Sequence, residues 1–280
     1  MPIVTLTTDF GIKGPYVGAL KGAIYSQYPE ATIVDISHEI SPFHSVEAAY
    51  VIQNSYKSFP KGTVHIVGID SEFHAENKHI AMQLDGHYFV CADNGIMSLL
   101  ALTVHPDKIV EINIHNKVET NFPVLNEFVV VACHLARGGT LEVIGKRTDE
   151  VKILKGIQPV VHSDNKRIIG NILYIDNYGN LITNITRTLF EKVGQGRAFQ
   201  IMARTATFTK IFEKYSDAIN FDTERSKREE DGKKLARFNA SDYIELAIYK
   251  SNPRTVGSAA SLFGLRFRDT VSITFNDASS

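Results

Sequence analysis

The chain has 280 residues and very little cysteine: Cys91 and Cys133 are its only two. Both lie in apolar surroundings without a C-x-x-C partner. That excludes a cysteine-built metal site or redox pair and predicts two buried free thiols in a reducing cytosol. Charge of one sign is not in excess. Thirty Lys and Arg against 31 Asp and Glu leave a net charge of −1, so no basic footprint points to nucleic acid. No apolar run approaches the length of a membrane span, and the N-terminus lacks the charged and apolar regions of a signal peptide. The expectation is a cytoplasmic protein without membrane contact. Recurrent catalytic signatures are missing as well. Without G-x-x-x-x-G-K-[ST] or G-x-G-x-x-G there is no phosphate cradle, and neither G-x-S-x-G nor H-E-x-x-H occurs. His74 and His79 lack the cysteines or spaced carboxylates that would complete a metal site, so no metal is expected.

What is present is an ordinary globular composition, 44% hydrophobic and 22% charged, at a length that permits one large domain or two modest ones. Apolar runs at Ile3–Leu6, Ala31–Ile36 and Thr63–Ile69 read as buried strands. They alternate with helical periodicity at Val17, Leu20 and Ile24, and again from Ser45, taken as an N-cap, through Ala48, Val51, Ile52 and Tyr56. Asp85-Gly86 joins Ile80–Leu84 to Tyr88–Cys91 as a hairpin. A helix opens at Asp93-Asn94-Gly95, a strand covers Lys108–Ile114, and a helix from about Asn126 to Ala136 closes at Arg137-Gly138-Gly139.

From Ile168 onward the rhythm changes to short strands and turns: Gly170–Ile175, Leu181–Ile185, Ala198–Ala203, Ala206–Phe212, Tyr243–Lys250 and Thr270–Phe275. The predicted fold is an α/β N-terminal domain with a largely parallel central sheet, residues 1–155. A linker at 156–164 leads to a smaller, all-β, antiparallel barrel-like C-terminal domain, residues 165–280. The charged run Thr223–Lys234 reads as a solvated hairpin loop.

Polar residues at strand ends are where chemistry is to be sought. Asp9 ends the first strand in a glycine-containing turn, where open α/β sheets bind ligands. A carboxylate there suits a vicinal diol, and equally serves as a helix cap or turn residue. Asp70 ends the third strand. Asp176-Asn177-Tyr178-Gly179-Asn180 lies between two apolar strands; it reads either as a hairpin turn or as a purine pocket in which Tyr178 stacks. Ser251-Asn252-Pro253 and Gly257–Ala260 form a second such loop or the last barrel turn.

Thr8-Asp9-Phe10-Gly11, Lys21-Gly22, Asp35-Ile36-Ser37-His38, Asp93-Asn94-Gly95, Asp176–Asn180, Thr183-Asn184-Ile185 and Gly257–Ala260 follow one another in this order. Together they resemble the S-adenosylmethionine (SAM) hydroxide adenosyltransferase family, which includes the bacterial fluorinase and chlorinase. The resemblance runs from about Ile3 to Phe275. It implies a homotrimer with sites between subunits, no cofactor, and SAM as substrate. It also implies displacement at the ribose 5′ carbon to give adenosine and methionine. Asp9 then matches the residue holding the ribose hydroxyls, and Phe43 an aromatic packed on the ligand. Tyr178 and Asn180 match the adenine contacts, and Asp176 the acid that meets the methionine amino group. Ser251, Val256 and Ala259 lie along the adenine edge.

The departures fall on the catalytic residues. Hydrolytic members carry Asp-Pro-Gly-Val-Gly-Thr followed by an arginine; here the segment is Asp70-Ser71-Glu72-Phe73-His74-Ala75, and the arginine position falls on Asn77. The family's Phe-His-Gly-Arg-Asp becomes Phe122-Pro123-Val124-Leu125-Asn126, which removes its histidine. Asp70 remains, and its charge opposes a halide nucleophile. The catalytic expectation is therefore Asp70 as base, with Lys78 supplying positive charge and His79 or His74 orienting water. The alternatives are a non-catalytic SAM- or adenosine-binding protein and adenosyl transfer to a nucleophile other than water.

Overall fold

Apolar runs separated by helices build the first of two compact units, Met1–Gly156, in this computed structural model; Ile157–Ser280 form the second. The structure describes residues 2–101, 104–114, 120–154, 158–228 and 232–276. The strands of the first unit are β1 (Ile3–Thr8), β2 (Thr32–Ser37), β3 (Val64–Gly68), β4 (His79–Leu84), β5 (His87–Ala92), β6 (Lys108–Ile112) and β7 (Gly145–Arg147). They form one sheet in the order β2-β1-β3-β5-β4-β6-β7. The pairs β1–β2, β1–β3 and β3–β5 are parallel. Beyond β5 the pairings are antiparallel, because the Asp85-Gly86 turn, with both residues at positive φ, folds β4 straight back on its neighbour.

Strand periodicity makes this sheet two-faced. Val64, Ile66, Val90 and Ala92 point to the layer holding α1 (Tyr16–Gln27). Phe89, Cys91, Ile80, Met82 and Leu84 point to the layer holding α2 (Ser45–Gln53) and α3 (Ile96–Leu100). A π-helical turn, Val124–Phe128, runs into α4 (Val129–Ala136), which with α5 (Leu141–Ile144) packs on the α1 face. The residue capping α2 is His44, not Ser45: its Nδ1 accepts the Glu47 N–H at 3.0 Å. Cys91 and Cys133 are both buried and unpaired, and burial pushes both thiols upward in pKa.

The second unit begins earlier than the expected linker allows. Val160–Val161 is a strand, β8, paired with the start of β9 (Arg167–Ile175). There follow β10 (Leu181–Thr186), α6 (Arg187–Gly194), β11 (Phe199–Ala203), β12 (Ala206–Phe208) and β13 (Ile211–Phe212). The chain ends with β14 (Lys234–Phe238), β15 (Tyr243–Ile248), α7 (Ala259–Phe263) and β16 (Thr270–Phe275). The sheet order is β12-β11-β16-β9-β10-β15-β14-β13, a barrel-like wrap. The first half of β9 pairs with β16 and its second half with β10. At Gly170 a side chain would meet Ile185 and Asn184 at 2.5–2.6 Å, so only glycine permits this approach of β10.

Three expectations change here. Ala206–Phe212 is two strands, not one. α6 stands where no helix was expected, its start capped by Thr186 Oγ1 accepting the Leu189 N–H. The charged run leads into a strand parallel to β13, so it is not a hairpin loop; its residues 229–231 lie outside the described ones.

Across β3 and β5 on the α2 face sits a buried histidine pair, His65 and His87. His65 Nδ1 is 2.7 Å from Thr5 Oγ1, Nε2 is 3.2 Å from His87 Nδ1, and the ring stacks on Phe89. Burial, and then the neighbouring His87, lower His65 to about 3. A folded-state value below the unfolded one, about 6.5, means that the unfolded chain binds the proton more tightly. Stability from this pair is complete above the unfolded value and declines as pH falls toward about 3. We expect the unfolding free energy from urea titration to drop between about pH 6.5 and about pH 4, by up to ~1.4 kcal/mol per pH unit for one proton. His65→Phe should flatten that slope; an unchanged slope would place the titration elsewhere.

Candidate functional site

Parallel sheets place their ligand-binding loops beyond the carboxyl ends of the strands, and the crevice opens where the strand order reverses. Here that point lies between β1, whose crossover leads to β2 on one side, and β3, whose successors lie on the other. Thr8 is opposite Gly68 in the β1–β3 register. Asp9 leaves β1 and Asp70 follows β3, so two carboxylates stand at the same end of neighbouring strands. Asp9 Oδ2 accepts the Phe43 N–H at 2.9 Å, which draws the β2–α2 loop over the crevice. The Phe43 side chain is 73% exposed and its φ is +59°. Burial pushes the Asp9 carboxyl upward; the Phe43 N–H opposes this, and the charge of Asp70 adds to it.

A polar chain running from buried Thr8 and His38 out to the surface supports Asp9 from beneath. Thr8 Oγ1 is 2.8 Å from His38 Nδ1, His38 Nε2 is 3.1 Å from Asp35 Oδ1, and Lys21 Nζ is 2.6 Å from Asp35 Oδ2. The His38–Asp35 contact is an ion-pair approach and not an aligned hydrogen bond. Burial works against the charged form of Asp35, but Lys21 and His38 prevail and lower its pKa. The His38 carbonyl accepts the Gly11 N–H at 2.7 Å, and Thr8 Oγ1 lies 3.4 Å from the Phe10 N. Both flanks of Asp9 are thereby held by one residue.

Asp70 is exposed and has φ +42°, a left-handed conformation that a non-glycine residue adopts only when its surroundings hold it there. Four side-chain donations supply the hold. Asn94 Nδ2 donates to the Ile69 carbonyl, Asn77 Nδ2 to those of Asp70 and Glu72, all at 2.8 Å, and His79 Nε2 to that of Ser71 at 3.0 Å. Asn77, expected from the resemblance to stand at an arginine position, thus binds the loop backbone.

The other two expected catalytic residues are placed differently from the sequence reading. Lys78 Nζ is 2.8 Å from Glu111 on β6, and its charge partners there are Glu111, Glu150 and Asp93. His79 is 1% exposed, with both ring nitrogens engaged, Nδ1 lying 3.0 Å from Glu127 Oε1. It has no free nitrogen with which to orient water, which corrects that expectation. His74 is exposed, its Nδ1 accepting the Glu76 N–H at 3.3 Å.

In the second unit Asp176–Asn180 is the turn between β9 and β10. Asp176 Oδ1 accepts the N–H groups of Tyr178 and Asn180, and Oδ2 accepts from Asn180 Nδ2. Tyr178 is left 64% exposed on that turn. Ser251 Oγ reaches the Tyr178 carbonyl at 3.4 Å, and the Ala260 N–H donates to the Gly179 carbonyl at 2.9 Å. The turn, the Ser251–Gly257 loop and the start of α7 therefore form one corner. Val256 is 70% exposed there, while Ala259 is fully buried and can present only backbone. Behind Asp176 lies Glu245, buried and hydrogen-bonded by the Tyr215 hydroxyl; burial raises its pKa and the charge of Asp176 adds to the rise. Among the described residues no group of three or more His, Cys, Asp or Glu is placed to hold a metal ion.

Residues 4–145 match the family model described as SAM hydroxide adenosyltransferase N-terminal domain, and residues 170–272 its C-terminal counterpart. The chain belongs to the SAM hydroxide adenosyltransferase family. Among its relatives is an (R)-S-adenosyl-L-methionine hydrolase of Methanocaldococcus jannaschii, 34% identical over 194 residues, covering 67% of this chain and 68% of that one. A fluorinase of Nocardia brasiliensis is 27% identical, covering 70% and 75%. A crystal structure of an uncharacterized conserved protein from Thermotoga maritima superposes with a TM-score of 0.82 at 27% identity, over 97% of this chain and 99% of that one. The family membership agrees with the resemblance carried by the seven short segments.

The sequence singled out Asn94 within Asp93-Asn94-Gly95 and Asn77 at the expected arginine position without giving either a role, and it gave no place to Glu127. Asn94 carried a signal, since Asp93-Asn94-Gly95 follows a strand. Glu127 carried none, because its partner lies 48 positions away.

Gly179 supplies a test of the second-unit corner. Its φ is +72°, and a Cβ there would lie 2.3 Å from the Ser258 side chain. Gly179→Ala should lower stability by ~1–3 kcal/mol in urea unfolding. Adding Ser258→Gly should recover part of that loss by removing the clash while leaving the strained φ. A single variant as stable as the parent would contradict the packing described.

Proposed function

We propose that this chain hydrolyses SAM to adenosine and L-methionine, with Asp70 as the base or water-orienting group. The observation that carries the reading is the pair of carboxylates at the reversal of strand order, one tied to the Phe43 backbone and one held at positive φ, in a member of this family. An oxygen–carbon bond forms from water to the 5′ carbon while the carbon–sulfur bond breaks. The electron pair leaves with sulfur as neutral methionine, and the water's proton passes to Asp70 and then to solvent. A sulfonium needs no protonation to depart, so the protein's task is alignment of the nucleophile and exclusion of competing water.

Asp9 accepts hydrogen bonds from the ribose diol through the carboxylate edge that Phe43 leaves open, and Phe43 covers the sugar. Tyr178 stacks on adenine, Asn180, Ser251 and the backbone of Val256 and Ala259 meet its edge, and Asp176 receives the methionine ammonium. No cofactor takes part. The negative charge of Asp70 disfavours a halide as nucleophile. In assembly the protein is a homotrimer whose sites are completed between subunits, and it works in the cytoplasm, where Cys91 and Cys133 stay reduced. No helix among the described residues is long and apolar enough to cross a membrane.

The deciding experiment is incubation with SAM in ¹⁸O-labelled water, with the products resolved by chromatography and mass spectrometry. Adenosine labelled at its 5′ oxygen, together with methionine, is the expected result. Asp70→Asn should lower kcat by ~10²–10⁴-fold while leaving SAM affinity within about threefold. Binding without product would leave an adenosyl-binding protein, and unlabelled adenosine would overturn water as the nucleophile.

A further inference from the structure

Beside Asp70 lies a hydrogen-bonded histidine–glutamate pair that the reaction as written does not use. His79, at the start of β4, is 1% exposed and packed edge-on against Phe73 and Phe128. Its Nε2 is 3.0 Å from the Ser71 carbonyl and its Nδ1 3.0 Å from Glu127 Oε1. A carbonyl oxygen only accepts, so Nε2 must carry a proton. A carboxylate only accepts too, so a second proton lies between Nδ1 and Oε1. Thus the ring donates at Nε2 and has no lone pair to offer a substrate or a water. Glu127 sits on the π-helical turn Val124–Phe128, an irregularity that often marks functional positions in helices.

We propose that His79 and Glu127 are positioning residues for Asp70. On the hydrolase reading above, their role is to fix the Ser71 carbonyl and so hold the preceding carboxylate in line with its water. Ile69, Asp70 and Glu72 are bound by asparagine side chains within or beside the loop. Ser71 is the one of the four bound from the sheet and from the α1 layer behind it. The pair therefore adds a tie from β4 and the α1 layer at the middle of the loop, where Asn77 binds from within the loop and Asn94, just past β5, holds only its start at Ile69. A carboxylate displaced by about an ångström can lose ~10²-fold in rate without any loss of substrate binding.

The test uses three variants in the full chain. His79→Leu and Glu127→Leu should each lower kcat by ~10–100-fold while KM for SAM stays within about threefold. Glu127→Gln should rescue most of what Glu127→Leu loses. The amide can donate to Nδ1 while Nε2–H still reaches Ser71, so positioning survives although the charge does not. A general acid or base would behave oppositely: its partner's conversion to an amide misplaces the ring proton and costs orders of magnitude. Folded His79→Leu with unchanged kcat, or Glu127→Gln as damaging as Glu127→Leu, overturns the proposal.

If the parent protein forms no product from SAM, the hydrolase reading falls. The positioning claim is then read from amide hydrogen exchange at Asn77, whose N–H donates to the His74 carbonyl at 3.0 Å. His79→Leu should raise exchange there by ~10-fold or more with the sheet amides unchanged, and equal protection in parent and variant refutes it.

Discussion

Everything at the candidate site depends on one register, Thr8 opposite Gly68 in the parallel pairing of β1 and β3. Parallel strands bring their carboxyl ends to the same edge, so the residues that follow them must share one crevice. A one-residue slip would turn each of these strands over and carry its apolar faces into the wrong layers. The register is protected by burial on both faces, with Val64 and Ile66 on one side and Val67 and Ile69 on the other. Gly68 lies at the crowded end of this pairing, where an added Cβ would meet Thr8 and Val124 at 3.2 Å. The fold's hydrophobic order and the placement of Asp9 and Asp70 are therefore one constraint.

Two like charges at one edge repel, and the site manages them unequally. Asp9 is half buried and held by a backbone N–H, with its pKa pushed up by burial and by Asp70. Asp70 stands exposed, on a backbone held from below by side-chain donors. On the proposed reading only one carboxylate has to meet a diol, and the other has to face a water. On the proposed reading, that division matches a reaction whose leaving group is already charged and requires no acid.

The loop after β3 is where the polar side chains singled out in the sequence find partners other than those expected. Asn77, at the position where the sequence resemblance implies an arginine, binds the carbonyls of Asp70 and Glu72 through its amide. Lys78 is directed to Glu111 across the β4–β6 pairing. His79 turns inward to Glu127. A charged and solvated loop in the sequence is, in three dimensions, a segment pinned at four successive carbonyls, and the pinning sustains the positive φ of Asp70.

The linear order of residues determined the fold class, since apolar runs alternating with helical periodicity require an α/β layer, and short strands between turns require a β domain. It also determined Asp9, Asp70 and the Asp176–Asn180 turn as strand-end polar sites, because strand ends and turn residues are local signals. Helix α6 escaped because eight residues sit among strands with only Thr186 as a cap signal. Strand β14 escaped because it begins at Lys234, inside a run of charge. What only tertiary structure decided is which partner each polar side chain takes: Lys78 with Glu111, His79 with Glu127, His38 with Thr8. Those pairings join residues up to 48 positions apart. They are set by which strands become neighbours and which faces they bury, and no local spacing encodes that.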